Sequence, residues 1–349
     1  MKNIAIFSNE FSVGGIQKSL INILNNTDYK KYNIDLYLMG KSTFFDNFPK
    51  EINIYYLGNL PKICSVLPFE IFKMISRNKV LKKEYDLAID FDGYQKLTAV
   101  NAIECNAKKK VMWIHSDWYE RIKIDKKFKT SFYTSKSKFK YFDEFIGVSF
   151  GVLDSFKKIY KKNINARVIP NLIDTNEIFK KMNDNIDLNI DNSKYNFCSV
   201  GRVCFTKGYD ILLGYLNDLK NYRKDFHFYL IGDGEEMNNI ISLAKKYDLD
   251  NYVTFLGLQK NPFKYMKQMD GFILTSRFEG QGIVLWEAKA LGLDIFMGKN
   301  LEKYNDGLTG YKDLLSALRK AKKKKKTLDD LSKYNESASI ELKKLFDGD

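Results

Sequence analysis

"GFILTSRFEGQGIVLWEAKAL", Gly271 to Leu291, decides the fold. Its first six residues are an apolar run of strand length, "RFEGQG" is a polar, glycine-rich turn, and "IVLWEAKAL" carries helical spacing. A strand followed by a helix is half of a crossover unit, because a parallel neighbour can be reached only by a long return connection. The same alternation recurs along the chain. In the first half strands are predicted at "KNIAIFS", "NIDLYLM", "YDLAIDF", "KVMWIH" and "EFIGVS", with a helix after "VGGIQ". In the second half they are predicted at "NFCSVG", "FHFYLIG", "NYVTFLG" and "GFILTS", with helices near 208–220, 235–247, 261–269 and 283–292. Two parallel sheets follow, and 349 residues exceed what one ordinary core holds.

The join lies near "ARVIPNLIDTNEIF", where Pro170-Asn171 stops a strand and a polar stretch runs on to Ser193. The expected division is an N-terminal domain over 1–168, a linker and loop over 169–193, a C-terminal domain over 194–325, and a helix and tail over 326–349 that can return to the first domain. From Lys312 onward the pattern is helical and Lys-rich, and seven of the eight residues Arg319 to Lys326 are cationic. A solvated helix face is the expectation there.

Charge is uneven. Residues 1–165 carry 28 Lys+Arg against 17 Asp+Glu, or +11 of the chain's +14. Such a field attracts nucleic acid, anionic lipid or a phosphorylated substrate, and it says nothing about fold. Between Lys108 and Lys162, 15 cations and 6 acids are interleaved with aromatics, a composition that can stack bases or seat in a lipid headgroup layer. "LPKICSVLPFEIFKMIS", Leu60 to Ser76, is read as a buried loop helix, with a membrane-dipping segment as the alternative. The N-terminus lacks a secretory leader pattern and no run is long enough to span a bilayer, so a cytoplasmic protein is expected. Cys64, Cys105, Cys198 and Cys204 lack metal-ligand spacing and read as core filler.

Ligands of open α/β sheets bind beyond the carboxyl ends of the strands. There "NEFSVGGIQKSL" offers Gly14 and Gly15 before a helix, and "GRVCFTKG" offers Arg202 and Lys207, a fork and a point charge able to neutralise a diphosphate from two sides. "LIGDGEEM" has only Gly232 and Gly234, which argues against a dinucleotide cofactor. In "RFEGQGIVLWE", Glu279 lies in the turn, Gly282 and Ile283 are expected to present free N–H groups, and Glu287 lies about 7–8 Å further along the helix at 1.5 Å per residue. That spans a nucleotide diphosphate and its ribose.

These motifs together resemble the retaining glycosyltransferases of family 4, the "glycosyl transferases group 1" family. The E-x7-E element matches at Glu279 and Glu287, the Arg and Lys pair at Arg202 and Lys207, the interdomain segment at "PNLID", and the N-terminal glycine pair at Gly14-Gly15. The resemblance implies a GT-B fold, two Rossmann-like parallel-sheet domains facing across a cleft, with the donor on the C-terminal domain and the acceptor on the N-terminal one. It implies a role for His115, at the end of "KVMWIH", beside the transferred sugar with Glu279. It places Arg202, Lys207, Gly14, Gly15, Gly282, Ile283, Val284 and Glu287 around the donor, the last of them on the ribose. It implies front-face transfer with retention, no metal and no cofactor beyond the nucleotide diphosphate sugar substrate. Leu172 replaces the linker glycine, and the proline and paired glycines after the E-x7-E helix are missing.

The expected activity is transfer of a hexose from a UDP-sugar, or a GDP-sugar, to a hydroxyl of a growing, lipid-linked surface glycan of the capsule or cell envelope, on the inner face of the membrane. The rival readings are a basic nucleic-acid- or membrane-binding protein without transferase activity, and a glycoside hydrolase using Glu279 and Glu287. His227, inside "FHFYLIG", is read as structural. "DFD", Asp90 to Asp92, resembles a metal-binding motif in the wrong context.

Overall fold

The computed structural model describes residues 1–9, 14–40, 48–58, 67–76 and 83–349. It holds two compact units, one formed by Met1–Leu172 with Lys333–Asp349 and the other by Ile173–Ser332.

The first unit is a seven-stranded, wholly parallel sheet. Its strands are β1 (Lys2–Ser8), β2 (Tyr32–Leu38), β3 (Asn53–Tyr56), β4 (Tyr85–Asp90), β5 (Ala107–Ile114), β6 (Glu144–Gly147) and β7 (Ala166–Val168), in the order β3-β2-β1-β4-β5-β6-β7. The five strands read from the sequence are its centre. The two edges, β3 and β7, escape that reading because they are short and lack buried apolar faces. The second unit is a five-stranded parallel sheet of β8 (Tyr195–Val200), β9 (Phe226–Ile231), β10 (Val253–Gly257), β11 (Gly271–Leu274) and β12 (Asp294–Met297), ordered β10-β9-β8-β11-β12. Its central strands are apolar on both faces, as helices cover both. Strand order reverses between β1 and β4 in one sheet and between β8 and β11 in the other, so each has a switch point where adjacent crossovers diverge.

Two segments depart from the sequence reading. The polar stretch after Pro170 contains a helix, Thr175–Lys181, whose start is fixed by the Asp174 side chain accepting the Glu177 N–H at 2.9 Å. The Asp-x-x-Glu spacing is the signal for it. The Lys-rich stretch is not a solvated helix face. Its helix ends at Lys320, and residues 321–331 run without helix across the amino ends of the second sheet. There Lys323 pairs with Asp270 at 3.1 Å, Lys324 with Asp294, and Lys326 donates to the Met269 carbonyl at 2.9 Å. Ion pairs to strand-start aspartates outcompete helix continuation, so the run is a strap.

The chain then forms the helix Ser332–Asp347 on the first unit, where Tyr32 donates to Asp347 at 2.8 Å and packs edge-on against Phe346. Beside it Asn171 accepts the Ser19 hydroxyl, its carbonyl accepts the Tyr334 hydroxyl at 2.8 Å, and Leu172 is buried, which is why a leucine serves in place of glycine. Cys105 and Cys198 are buried, whereas Cys204 is half-buried in a site loop and is not core filler; Cys64 lies outside the described residues.

Candidate active site

The second switch point is built from the loops after β8 and β11. Thr275 Oγ1 donates to the Gly208 carbonyl at 2.8 Å, and Arg277 N donates to the Thr206 carbonyl at 2.8 Å. Gly208 has φ +66°, and a Cβ there would lie 2.2 Å from the Thr275 carbonyl oxygen, so only glycine lets the loops close on each other. The Arg277 guanidinium finishes the clamp, with bonds of 2.9 and 2.6 Å to Asp210, one of 2.7 Å to the Phe205 carbonyl, and its face 3.8 Å from the Phe205 ring. Asp210 is held below the usual carboxylate range by that partner. Nothing in the spacing around "SRFEG" marked Arg277, because its partner lies 67 residues away.

The clamp brings Lys207 and Glu279 together. Lys207 Nζ lies 2.7 Å from Glu279 Oε1, which also accepts the Ser276 hydroxyl at 2.5 Å. Both glutamates of the E-x7-E element are buried, Glu279 at 9% exposure in the turn and Glu287 at 8% on the helix Ile283–Ala290. Arg202 is elsewhere: three-quarters exposed, it lies 3.7 Å from Glu235 in the loop after β9, and it does not share Lys207's carboxylate partner.

The helix mouth differs from the expectation. The Gly282 N–H donates to the buried side chain of Asn305 at 2.9 Å, and the Ile283 N–H turns back on the Gln281 carbonyl at 2.9 Å. These amides are therefore not free in this state, since a buried donor cannot be left unpaired without cost. Val284 is the second residue of that helix. Asn305 was not legible in the sequence as part of the site. It follows a 3-10 turn, Lys299–Tyr304, and reaches the helix only through the fold.

In the first unit the helix Gly15–Asn25 starts at the glycine pair, and a Cβ on Gly15 would meet nothing within 4 Å; Glu10–Val13, which precede the pair, lie outside the described residues. His115 sits just past β5. Its Nε2–H donates to the Phe91 carbonyl at 2.8 Å, and its ring lies 4.6 Å from Phe91 and parallel to Trp113. Burial pushes the imidazole down to about 3, so it is neutral with Nδ1 as its acceptor. His227 is a strand residue bonded to Thr254 at 2.8 Å.

The helix Lys126–Ser135, in the basic stretch between Lys108 and Lys162, is amphipathic. Phe128 and Phe132 are buried beneath the helix Lys126–Ser135, while Lys126, Lys127, Lys129 and Tyr133 are exposed. The helix Phe69–Ile75 buries Phe69 and Phe72 but exposes Ile71, Met74 and Ile75, so it is only half the buried loop helix expected; residues 60–66 of that stretch lie outside the described ones. Among the described residues no helix is long and apolar enough to cross a membrane.

Residues 180–303 match the family "Glycosyl transferases group 1". The chain is 25% identical over 301 residues to an uncharacterized glycosyltransferase of Haemophilus influenzae, covering 84% of this chain and 80% of that one. Over 125 residues it is 32% identical to the N-acetylgalactosamine-N,N'-diacetylbacillosaminyl-diphospho-undecaprenol 4-alpha-N-acetylgalactosaminyltransferase of Campylobacter jejuni, covering 36% of this chain and 32% of that one. The fold matches a mutant of S. aureus TarM, solved in complex with fondaparinux, alpha-GlcNAc-glycerol and UDP, at a TM-score of 0.68 and 14% identity, over 99% of this chain and 100% of that one.

Proposed function

We propose that this chain, whose residues 180–303 match the group 1 glycosyl transferases, moves a hexose from a nucleotide diphosphate sugar, with retention, to a hydroxyl of a growing, lipid-linked surface glycan. The observation that carries this reading is the meeting of Lys207 and Glu279 at the switch point of the second sheet. A lysine there is a point charge for a diphosphate, and the adjoining carboxylate can accept from sugar hydroxyls once the lysine turns to phosphate. Glu287, one helical turn into the following helix, accepts from ribose. Arg202, on its exposed stem, swings from Glu235 to the phosphates. Gly282, Ile283 and Val284 line the donor, and the first two amides reach it by exchange with Asn305 and Gln281. Gly14, Gly15 and His115 serve the transferred sugar, and no metal takes part.

UDP is the favoured carrier because the TarM structure holds UDP, with GDP the alternative. The lipid-linked acceptor is supported by the Campylobacter relative, whose name gives a diphospho-undecaprenol saccharide as its acceptor. It is supported too by the exposed lysines and apolar side chains of the first unit, which suit an anionic membrane face. The test is a thermal-shift screen of UDP- and GDP-sugars, followed by transfer to a lipid-linked oligosaccharide with the product anomer read by NMR. Stabilisation by one nucleotide series and an anomer that keeps the donor's configuration are expected. Release of free sugar from an oligosaccharide, with no response to nucleotides, would support hydrolysis instead. Binding of mixed-sequence oligonucleotides in preference to anionic vesicles at matched salt would refute the membrane assignment.

A further inference from the structure

At the switch point of the first sheet the turn Asp90–Gly93 leaves β4 between the ends of β1 and β5. Asp90 and Asp92 are exposed to only 0% and 1%. Asp90 Oδ1 accepts the Gly93 N–H at 3.2 Å, and Asp92 Oδ2 accepts the N–H of Asn9, the residue that follows β1. Between them the Phe91 carbonyl accepts His115 Nε2–H. Lys138, 2% exposed and brought in by the 3-10 turn Lys136–Tyr141, donates to the carbonyls of Gly93 at 2.6 Å and Gln95 at 3.2 Å. Its charge faces both carboxyls.

Among the described residues the remaining oxygens, Asp90 Oδ2 and Asp92 Oδ1, are buried without a hydrogen-bond partner, and only the Thr98 hydroxyl adds side-chain support to the Asp90 carboxyl. A turn needed only for the fold would be better made from neutral residues, because a carboxylate taken out of water and incompletely bonded weakens the folded state. Local rules broken at a cost in stability mark functional positions more often than structural ones.

We propose that Asp92, supported by Asp90 and Lys138, is a further positioning residue for glycosyl transfer: it holds Asn9, the residue that follows β1, while its own turn holds His115. The proposal rests on the function assigned above and gives the "DFD" aspartates, read from the sequence only as a metal-binding motif out of context, a positioning role in it.

Burial pushes Asp90 up to about 6 and Asp92 up to about 7, the second raised further by the charge of the first, while burial pushes Lys138 down to about 8. The other groups facing the turn are Lys96 and Thr98 on the following helix, Tyr94, and His115 itself, which stays neutral. Both carboxyls hold protons more tightly in the folded chain than in the unfolded one. They therefore weaken the fold as pH rises from 3.8 through 6 and 7, and a neutral substitute removes that burden.

Asp92→Asn separates the two roles. A positioning role predicts kcat at least about 10-fold lower, a donor KM within about twofold of wild type, loss of the acid limb of the kcat profile near neutrality, and a Tm at about pH 8 that is unchanged or higher. A purely structural role predicts a lower Tm with the acid limb retained. Either kcat within about twofold of wild type, or a kcat loss matched by loss of folded protein, overturns the proposal. A second readout does not need turnover. The chain has only two histidines, so 15N-histidine labelling resolves the His115 ring. Its ring-nitrogen shifts should follow the Asp92 titration in wild type and lose that dependence in Asp92→Asn. If wild type transfers no sugar, the functional reading fails, and ring shifts identical in the two proteins between about pH 5.5 and 8.5 would overturn the positioning role as well.

Discussion

Glu279→Gln should tighten the binding of free UDP or GDP while it slows transfer. Lys207 Nζ and Glu279 Oε1 are 2.7 Å apart, with the two side chains only 24% and 10% exposed. At an effective dielectric of about 20 the bare attraction at that distance is about 6 kcal/mol, and after desolvation a charged hydrogen bond of this kind is worth about 1.5–3 kcal/mol. A diphosphate that recruits Lys207 must break that contact, and the wild-type affinity is reduced accordingly. Glutamine keeps the shape and a weaker carbonyl acceptor, so about 1–2 kcal/mol should return, or roughly 5–30-fold in Kd. Lys207→Ala should act in the opposite direction, by at least about 10-fold, because it removes the cation and leaves Glu279 facing the phosphates unpaired. Isothermal titration with the nucleoside diphosphate, run with a Tm for each variant, reads both signs. If Glu279→Gln weakens the nucleotide as much as Lys207→Ala does, the two residues do not compete for one another and the donor-site assignment falls.

Gly208→Ala should lower stability by about 2–4 kcal/mol in denaturant titration, from a left-handed backbone at φ +66° and a clash at 2.2 Å with a carbonyl that cannot yield; a loss below about 1 kcal/mol would show that the loops are not locked there. Asn305→Ala strands the buried Gly282 N–H and should cost about 1–3 kcal/mol, visible as faster amide exchange at Gly282; exchange unchanged from wild type would mean another acceptor replaces it. The His115 imidazole is held near 3, below its ordinary 6.5, so the unfolded chain takes the proton first as pH falls. Its contribution to stability is present above 6.5 and lost on descending towards 3, by at most about 1.4 kcal/mol per pH unit, and less for a half-buried ring. His115→Gln should flatten that part of the acid unfolding curve, and an unaltered slope would place the ring in contact with water.

Periodicity alone determined the two parallel sheets, because buried central strands must be apolar on both faces and crossover helices on one. The edges β3 and β7 stayed hidden for the converse reason: a strand with one neighbour and a wet face has no such pattern to show. Local spacing also marked Glu279, Glu287 and Lys207, since strand-to-helix turns lie at the ligand end of a sheet whatever surrounds them, whereas His115 was singled out by the family resemblance. What each side chain does there was decided by partners distant in the chain. Asn305 takes the Gly282 amide from 23 residues away, Arg277 is committed to Asp210, and the lysine run lies on Asp270 and Asp294 as a strap, not a solvated helix face. Hydrogen bonds and ion pairs are short-ranged in space and indifferent to sequence separation, so their choice of partner exists only once the chain has folded.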